Sequence, residues 1–231
     1  MLYMSHIGQD KWVSDVYKNK KGGFFLDFGG FEGIMHSNTF FLEKVENWDG
    51  IIVEPNPVPY RSICKTRTCI SVNAALWSES RQSLRFLDAH GLSSFQEYAD
   101  TDSNAELRKT ITKQSIHVDT INPTELLERF LAPEFIEYMS LDIEGAELAV
   151  LKCIDLNKFK IGLMSIEHNN EKRKKNKIRT YLKDFGYSAV EHRNDDLFFN
   201  HDILNYITNG DYNNPVEIQK NVINSYRMIE Y

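Results

Sequence analysis

Two acids stand inside a glycine-rich turn near the start of the chain. The stretch FFLDFGGFEG (residues 24–33) opens with an apolar run and continues into a turn with three glycines, Gly29, Gly30 and Gly33. A strand followed by such a turn usually binds a nucleotide-like cofactor. This turn lacks the Lys-Ser/Thr of a P-loop and the G-x-G-x-x-G spacing of a dinucleotide site. Its acids, Asp27 and Glu32, would repel a pyrophosphate and attract an ammonium or sulfonium group, so the turn favours a cationic ligand.

A further acid ends the next apolar run. The segment GIIVE (residues 50–54) predicts a buried strand that stops before PNP, and Glu54 is its last residue. An acid at this place, about 20 residues after a glycine turn, commonly accepts hydrogen bonds from both hydroxyls of a ribose. S-adenosylmethionine is a cationic ligand that also carries a ribose, so the turn and Glu54 together favour this cofactor over a dinucleotide.

Two later segments carry polar side chains where strands are expected to end. SLDIEGAE contains Asp142 and Glu144, and SIEHN contains Glu167, His168 and Asn169. Methyl transfer to a hydroxyl needs an aligned acceptor, exclusion of water and, in many cases, removal of a proton. We expect His168 or Glu167 to act as the base and Glu144 to orient the acceptor. Asp142 is expected to face either the acceptor or the amino group of the cofactor.

The same side chains could also hold a divalent cation, because oxygen ligands from adjacent strand ends suit Mg²⁺. No tight ligand spacing requires one, so we expect no metal. Glu147 follows in the next helix, and we expect it to stabilise the N-terminus of that helix through the helix dipole.

Strands and helices alternate along most of the chain. Further strands are expected at residues 69–76, 83–88, 115–121, 137–145 and 161–169, and helices at 38–46, 123–131, 146–154 and 171–186. A polar stretch at residues 89–115 interrupts the pattern and predicts an excursion at the mouth of a site. Alternating strands and helices predict an α/β fold, with a mostly parallel sheet covered on both faces. A hairpin over residues 187–200 predicts one antiparallel strand near an edge.

Length and composition predict a single domain. The chain has 231 residues, 42% of them hydrophobic and 26% charged, as in an ordinary globular protein. We expect residues 1–22 to form an N-terminal lid or extension, residues 23–200 the core and residues 201–231 a C-terminal extension.

Charge and patterning also restrict the partners. The net charge of −6 and the lack of a broad basic stripe argue against a nucleic-acid partner. No apolar run reaches the roughly 20 residues of a membrane span, and the N-terminus does not resemble a secretory signal. Three cysteines without a CxxC pair suit a reducing compartment, so we expect a cytoplasmic protein.

The basic run at residues 171–179 indicates either a solvated helix face or attraction of an anionic acceptor. Nothing decides between a monomer and a homodimer.

The sequence resembles the FkbM-type methyltransferases. The resemblance runs from GQDKWV through GGFFLDFGGFEGIMHSNTFFLE and IIVEPNP to YMSLDIEGAELAVL and SIEHN, over roughly residues 8–200. VEPNP and SLDIEGAE together are specific to that family. It implies the class I methyltransferase fold, a Rossmann-like seven-stranded sheet with one antiparallel strand between layers of helices. It also implies S-adenosylmethionine as the cofactor and, in many members, O-methylation of sugars or other natural products.

The resemblance also assigns residues to the cofactor. The turn of Asp27, Gly29, Gly30, Glu32 and Gly33 should hold the methionine end, and Glu54 should hold the ribose. The other expected cofactor contacts are Asn38, Pro55, Asn56, Asn73, Ala74 and Asp142. A serine pair, Ser93 and Ser94, matches a loop near the site in the family. The sequence departs from the usual family pattern at Phe28 and Gly30, where Ile or Val and Ala are commoner; both changes are mild.

Other functions stay open on the sequence alone. A sugar, a glycan or a related small polar molecule is the expected methyl acceptor. A methyltransferase that acts on RNA or protein is the main alternative, and an NAD(P)-dependent oxidoreductase uses a similar sheet. A binding module without catalysis is the third alternative, although the acids at both expected sites are intact.

Overall fold

The computed structural model describes residues 3–227. In chain order the strands are β1 (Phe24–Phe28), β2 (Asp49–Val53), β3 (Ile70–Val72), β4 (Ala75–Leu76), β5 (Ser83–Asp88), β6 (Ser94–Phe95), β7 (Gln114–Ile121), β8 (Phe135–Leu141), β9 (Lys160–Glu167), β10 (Ser188–His192) and β11 (Asp195–Phe199). The helices are α1 (Gln9–Val16), α2 (Phe40–Glu46), α3 (Pro57–Thr66), α4 (Ala105–Ile111), α5 (Pro123–Arg129), α6 (Glu147–Leu151), α7 (Lys172–Lys183), α8 (His201–Thr208) and α9 (Pro215–Arg227).

The apolar runs form a seven-stranded central sheet. Its strand order is β3-β2-β1-β8-β9-β11-β10, and β11 runs antiparallel to both of its neighbours while the other pairings are parallel. The strand order changes direction beside β1, because β2 lies on one side of it and β8 on the other. A ligand site is expected at the carboxyl ends of these strands. The predicted mixed α/β fold with one antiparallel strand is confirmed.

Both faces of the sheet are buried under helices. Side chains alternate along a strand, so Leu26 and Phe28 enter one core while Phe25 enters the other. The first core also takes Leu126 of α5 and Leu182 of α7. The second core is built with apolar residues of four helices, namely Trp12 of α1, Leu42 of α2, Leu204 of α8 and Val222 of α9.

A smaller sheet lies beside the central one, with the order β4-β7-β5-β6. The single strand expected at residues 69–76 is therefore split: β3 joins the central sheet and β4 joins the smaller one. Asn73 stands between them, and its side-chain amide donates to the carbonyl oxygens of Glu54 and Pro55 at 2.8 and 3.0 Å. These bonds hold the bend that carries the chain from one sheet to the other.

The N-terminal helix is part of the core. Trp12, Val13 and Val16 of α1 are at most 1% exposed, so residues 9–16 do not form the expected lid. The segment before it crosses the sheet, since Ser5 forms a bridge with His36 and the Ile7 carbonyl contacts the His192 ring at 2.6 Å. Over residues 3–227, no helix is long and apolar enough to cross a membrane.

Candidate active site

A cavity lies at the carboxyl ends of β1, β2 and β8, with the smaller sheet as its other wall. Its volume is about 50 Å³. Its lining residues are Gly29, Phe31, Val53, Glu54, Pro55, Ala74, Ala75, Leu76, Phe86, His90, Gly91, Ser93, Phe95, Asp142, Ile143 and Glu144. Of the serine pair, Ser93 lines the cavity, whereas Ser94 is buried in β6.

The glycines of the turn allow close packing within the protein. Gly29 has φ +94°, and a Cβ added to it would lie 1.7 Å from the backbone carbonyl oxygen of Asp142. A Cβ on Gly30 would lie 2.4 Å from the side chain of Ile52. Gly29 and Gly30 also donate their backbone N–H groups to the carbonyl of Val53 at 3.0 and 3.1 Å. The turn is thus pinned between β2 and β8, and Gly29 forms part of the cavity floor.

The two acids of the turn lie outside the cavity lining. Asp27 is buried, accepts a hydrogen bond from the Thr39 hydroxyl at 2.5 Å and lies 3.9 Å from the Arg67 guanidinium. Burial raises the pKa of Asp27. Glu32 is exposed. Their predicted contact with the cofactor stays a prediction, and so does that of Gly33, whose carbonyl accepts from Arg67 at 3.1 Å.

Asn38 follows the turn, where the expected helix starts later than predicted. Helix α2 begins at Phe40, and the Ser37 hydroxyl accepts from the backbone N–H of Phe40 at 3.1 Å. The Asn38 side chain donates to the Ser140 hydroxyl at 2.9 Å. Its Oδ1 is buried and has no hydrogen-bond partner among residues 3–227. This atom is an acceptor that a donor group of a ligand could satisfy.

Glu54 lies in the wall of the cavity, at the end of β2. Its two carboxylate oxygens accept the backbone N–H groups of Phe31 and Asn56 at 2.9 and 2.7 Å. The residue is 6% exposed, and burial raises the pKa of its carboxyl to about 8. Glu54 therefore ties the glycine turn to the end of β2, and each oxygen keeps a lone pair for a further donor.

The residues around Glu54 divide into lining and supporting positions. Pro55 and Ala74 line the cavity. Asn56 is the N-cap of α3, where it accepts from the Val58 N–H at 3.0 Å and donates to Asp88 at 2.9 Å. Asn56 and Asn73 are both absent from the lining, so their side chains shape the wall rather than form its surface.

Three carboxyl groups meet beside the cavity. Asp142 follows β8, Glu144 lies in the next turn and Glu167 ends β9, and one oxygen of each lies within 4.8 Å of the others. Asp142 and Glu144 line the cavity. Glu147 supports the turn that carries them, because its Oε1 accepts the backbone N–H groups of Ile143 and Gly145 at 3.2 and 3.0 Å.

The proximity of these groups changes their proton affinities. Asp142 is exposed to the cavity, and the dense protein around it disfavours the charged form and raises its pKa to about 6. Burial raises the pKa of Glu144 to about 8. Burial, followed by repulsion from Asp142, raises the pKa of Glu167 well above its usual range. Asp142 and Glu167 share a hydrogen bond that lowers the first pKa and raises the second, so Glu167 keeps the proton and Asp142 is the charged partner.

His168 lies outside the cavity lining. The residue is 1% exposed. Its Nδ1 accepts the backbone N–H of Asn170 at 3.1 Å, and its Nε2 lies 3.7 Å from Asp196. The imidazole is thus buried near Asp196 after the end of β9, and its role as a base stays a prediction.

Arg108 is the main site-building residue that the sequence did not reveal. It is 1% exposed, and its guanidinium contacts Asp102 at 2.7 Å and Glu144 at 3.0 Å. It also donates to the carbonyls of Leu92 and Ala99 at 2.7 and 2.6 Å. Arg108 thereby fastens the polar excursion at 89–115 over the carboxyl cluster. Its position in the sequence carried no signal of this, because Glu144 lies 36 residues away along the chain and Asp102 is held in an irregular segment.

Asn169 supports the same cluster from β9. Its side-chain amide donates to Glu167 at 2.8 Å and to Glu144 at 3.4 Å. The three carboxylates could ligate a hard cation, since their oxygens converge. They could equally accept hydrogen bonds from hydroxyl groups or stabilise a positively charged ligand. The expectation of no metal stays a prediction.

The chain matches the family model of the methyltransferase FkbM domain over residues 15–189. No curated protein matches it.

Solved structures of methyltransferases are similar to the chain at low identity. A methyltransferase FkbM from Methylobacillus flagellatus KT is 12% identical with a TM-score of 0.48; the match covers 81% of this chain and 47% of that one. A METTL16 MTase domain is 12% identical with a TM-score of 0.47, covering 83% of this chain and 65% of that one. A precorrin-6y C5,15-methyltransferase from Geobacter metallireducens GS-15 is 12% identical with a TM-score of 0.43, covering 82% of this chain and 84% of that one. The chain thus spans about half of the first structure and just under two thirds of the second.

Proposed function

This chain belongs to the FkbM methyltransferase family, and from that premise we propose that it methylates a hydroxyl of a sugar, a glycan or a similar small polar molecule with S-adenosylmethionine. One observation carries the proposal. Glu54 lies in one wall of the cavity, and Asp142 and Glu144 lie in another. The proposed ribose-binding residue and the proposed proton acceptor therefore line the same cavity.

The residues around the cavity fit the proposed cofactor. S-adenosylmethionine supplies a methyl group that is already activated on a sulfonium. Glu54 would accept hydrogen bonds from the ribose, and Pro55 and Ala74 would contact the adenine. The further proposed contacts are Asp27, Gly29, Gly30, Glu32, Gly33, Asn38, Asn56, Asn73 and Asp142. The unpartnered Oδ1 of Asn38 supports a donor nearby, such as the amino group of the methionine end.

The electrostatics also suit a cation. The pKa values of Glu54 and Glu144 are raised to about 8 and that of Asp142 to about 6, mainly because burial disfavours the charged forms. A positively charged ligand would lower these pKa values and strengthen its own binding. A pyrophosphate would raise them further, which disfavours NAD as the ligand.

Asp142 is the residue best placed to take a proton. With a pKa of about 6 it is ionised at neutral pH, and it lines the cavity. In the proposed step the acceptor oxygen bonds to the methyl carbon while the carbon–sulfur bond breaks and its electron pair stays on sulfur. The hydroxyl proton passes to the Asp142 carboxylate, Glu144 orients the acceptor by a hydrogen bond, and Glu167 lies beside Asp142. General-base assistance of this kind contributes about 10²–10⁴-fold in rate.

A transfer survey tests this function. The chain is incubated with methyl-tritiated S-adenosylmethionine and separate panels of monosaccharides, nucleotide-linked sugars, glycans, RNA and protein. We expect alkali-stable label in a sugar or glycan fraction with the wild type, and no such label with Asp142→Asn. Label in RNA or protein alone would overturn the proposed acceptor class, and the absence of label in every panel would argue for a binding module.

A further inference from the structure

An open groove borders the carboxyl cluster on the side of α6 and α7. Its volume is about 600 Å³, and its lining includes Tyr98, Leu148, Lys152, Arg173 and Lys177. We refer to it as the basic groove. A second open hollow with the same Lys152, Arg173 and Lys177 in its lining continues along α7. The cations therefore form a continuous surface rather than isolated charges.

These three cations, Lys152 after α6 and Arg173 and Lys177 in α7, differ from three other basic residues of α7 that are paired with carboxylates. Lys174 is paired with Glu147 at 2.6 Å, Lys175 with Glu191 at 2.9 Å and Arg179 with Asp196. By contrast, none of Lys152, Arg173 and Lys177 has a carboxylate within 4.0 Å in the part of the chain that the structure describes. The paired cations of α7 thus stabilise the fold, whereas Lys152, Arg173 and Lys177 line the groove without such a partner and are available to a ligand.

The acids in the groove do not neutralise this set. Asp102 pairs with the buried Arg108 at 2.7 Å. Glu171 is the N-cap of α7 and accepts the backbone N–H groups of Arg173 and Lys174 at 3.3 and 2.7 Å. Asp102 is thus neutralised by Arg108, Glu171 is engaged by backbone groups but keeps its charge, and Asp184 lines only the second hollow. Lys152, Arg173 and Lys177 outnumber Glu171 in the groove, which keeps an excess of positive charge.

The groove and the cavity meet at one turn. Glu144 lines the cavity, and the next residue, Gly145, lines the groove. A Cβ added to Gly145 would lie 2.7 Å from the Cβ of Tyr98, so Tyr98 packs directly on this turn. Its ring lies in the groove lining, where an aromatic face can pack on a sugar.

We propose that the basic groove binds a phosphate or diphosphate group of the methyl acceptor, so that the acceptor is a phosphorylated or nucleotide-linked sugar. This inference rests on the proposed function. Arg and Lys side chains form charge-assisted hydrogen bonds with phosphate oxygens, and Tyr98 packs on the sugar between the phosphate and the carboxyl cluster. The anion stays at the groove while the hydroxyl reaches Asp142, which separates the negative group from the acids of the site.

Calorimetric titration of inorganic pyrophosphate into the full chain, saturated with S-adenosylhomocysteine, tests the groove. The groove variant is Arg173→Gln/Lys177→Gln, and the matched control is Arg61→Gln/Lys65→Gln, which removes the same charge from exposed positions of α3. We expect the groove variant to bind pyrophosphate about tenfold more weakly or worse, the loss that follows removal of a charge-assisted hydrogen bond, and the control to match the wild type.

Equal pyrophosphate affinity in all three proteins, or no binding to the wild type, would overturn the inference. Binding of a single-stranded RNA through the same residues, without measurable pyrophosphate binding, would also overturn it and would favour a nucleic-acid acceptor. The affinity for S-adenosylhomocysteine is measured in the same proteins. If the wild type does not bind S-adenosylhomocysteine, the proposed function fails; if it binds S-adenosylhomocysteine but not pyrophosphate, only the groove assignment fails.

Discussion

Asp142 and Glu167 lie close together beside the cavity, and the difference between their pKa values decides which of them can act as a base. Glu167 has the strongly raised pKa, whereas that of Asp142 reaches only about 6. The charged carboxylate therefore faces the acceptor position, and the neutral one stays behind it. The two groups titrate as a pair, so replacement of either one changes the proton affinity of the other.

We predict that Asp142→Asn lowers kcat by about 10²–10⁴-fold, because the amide has the same shape but cannot accept the proton. In the wild type, kcat/KM should rise with pH and level off above about 6, where Asp142 becomes ionised. A pH profile of both proteins measures the change. Asp119→Asn, on an exposed position of β7, is the control that should keep wild-type rates. Full turnover in Asp142→Asn would refute this role.

The carboxyl cluster should work without a metal ion. Arg108 and Asn169 already bond to Glu144, Asn169 also bonds to Glu167, and Asp142 and Glu167 share a hydrogen bond. We expect methyl transfer to be unchanged after dialysis against EDTA. A loss of activity that Mg²⁺ restores would instead make Asp142, Glu144 and Glu167 a metal site.

Single residues also show what the sequence could and could not reveal about the site. Glu54 was predicted from its place at the end of a strand, and the structure puts it in the cavity wall. The contacts of Asp27 with Thr39 and Arg67 could not be predicted, because the strand pattern does not show how the next helix packs on it. The burial of His168 near Asp196 could not be predicted either, since it depends on the backbone turn after β9.

At the level of elements, the excursion at 89–115 acts as a wall of the site. It contains β6, α4 and a short 3₁₀ turn at His90–Leu92, where the sequence predicted only an irregular surface segment. Its attachment to the domain depends on the buried Arg108 and its contacts with Asp102 and Glu144.

Replacement of Arg108 should therefore loosen this element. We predict that Arg108→Met destabilises the protein by about 3–5 kcal/mol, because Asp102 and Glu144 would be left buried without their partner. Thermal unfolding measures the loss, and limited proteolysis should cut within residues 89–115. Lys109→Gln, at the exposed neighbouring position, should change stability by no more than about 0.5 kcal/mol. Equal melting temperatures for the two variants would contradict the anchoring role.

Long apolar runs were the elements that the sequence predicted well. The strands at residues 24–28 and 83–88 match β1 and β5, since a buried strand needs a continuous or alternating apolar pattern. The split of residues 69–76 was missed, because the bend depends on hydrogen bonds from Asn73 to residues 18 and 19 positions away. The burial of α1 was missed because its partners in α9 lie at the other end of the chain.

At the scale of the whole molecule, the buried acids of the site lower its stability at high pH. Glu54 and Glu144 have folded-state pKa values of about 8, above the ordinary value of 4.5 in the unfolded chain. Between pH 4.5 and pH 8 the folded state binds more protons than the unfolded chain, so the free energy of unfolding falls as the pH rises towards 8. Each such group contributes about 1 kcal/mol per pH unit in this window.

We predict that the ligand-free protein melts several degrees higher at pH 6.5 than at pH 8, since about 1 kcal/mol shifts the melting temperature of a domain this size by roughly 2–4 °C. Scanning calorimetry across this range measures the slope. Burial lowers the pKa of His192 in the folded protein, so below pH 6.5 the unfolded chain binds the extra proton and stability falls as the pH falls. This effect opposes the one from the acids, so the comparison is limited to pH 6.5–8. Glu54→Gln should flatten the slope, and an unchanged slope in that variant would contradict the assignment.

The most direct test of the account is titration of S-adenosylhomocysteine into the protein by isothermal calorimetry. The account predicts one molecule bound per chain, and an affinity at least about tenfold weaker in Glu54→Gln, in which an amide donor replaces one of the two oxygens that would accept the ribose hydroxyls. Glu128→Gln, a surface carboxylate paired with Lys158, should bind like the wild type. No binding of S-adenosylhomocysteine by the wild type, or binding of NAD in its place, would contradict the account.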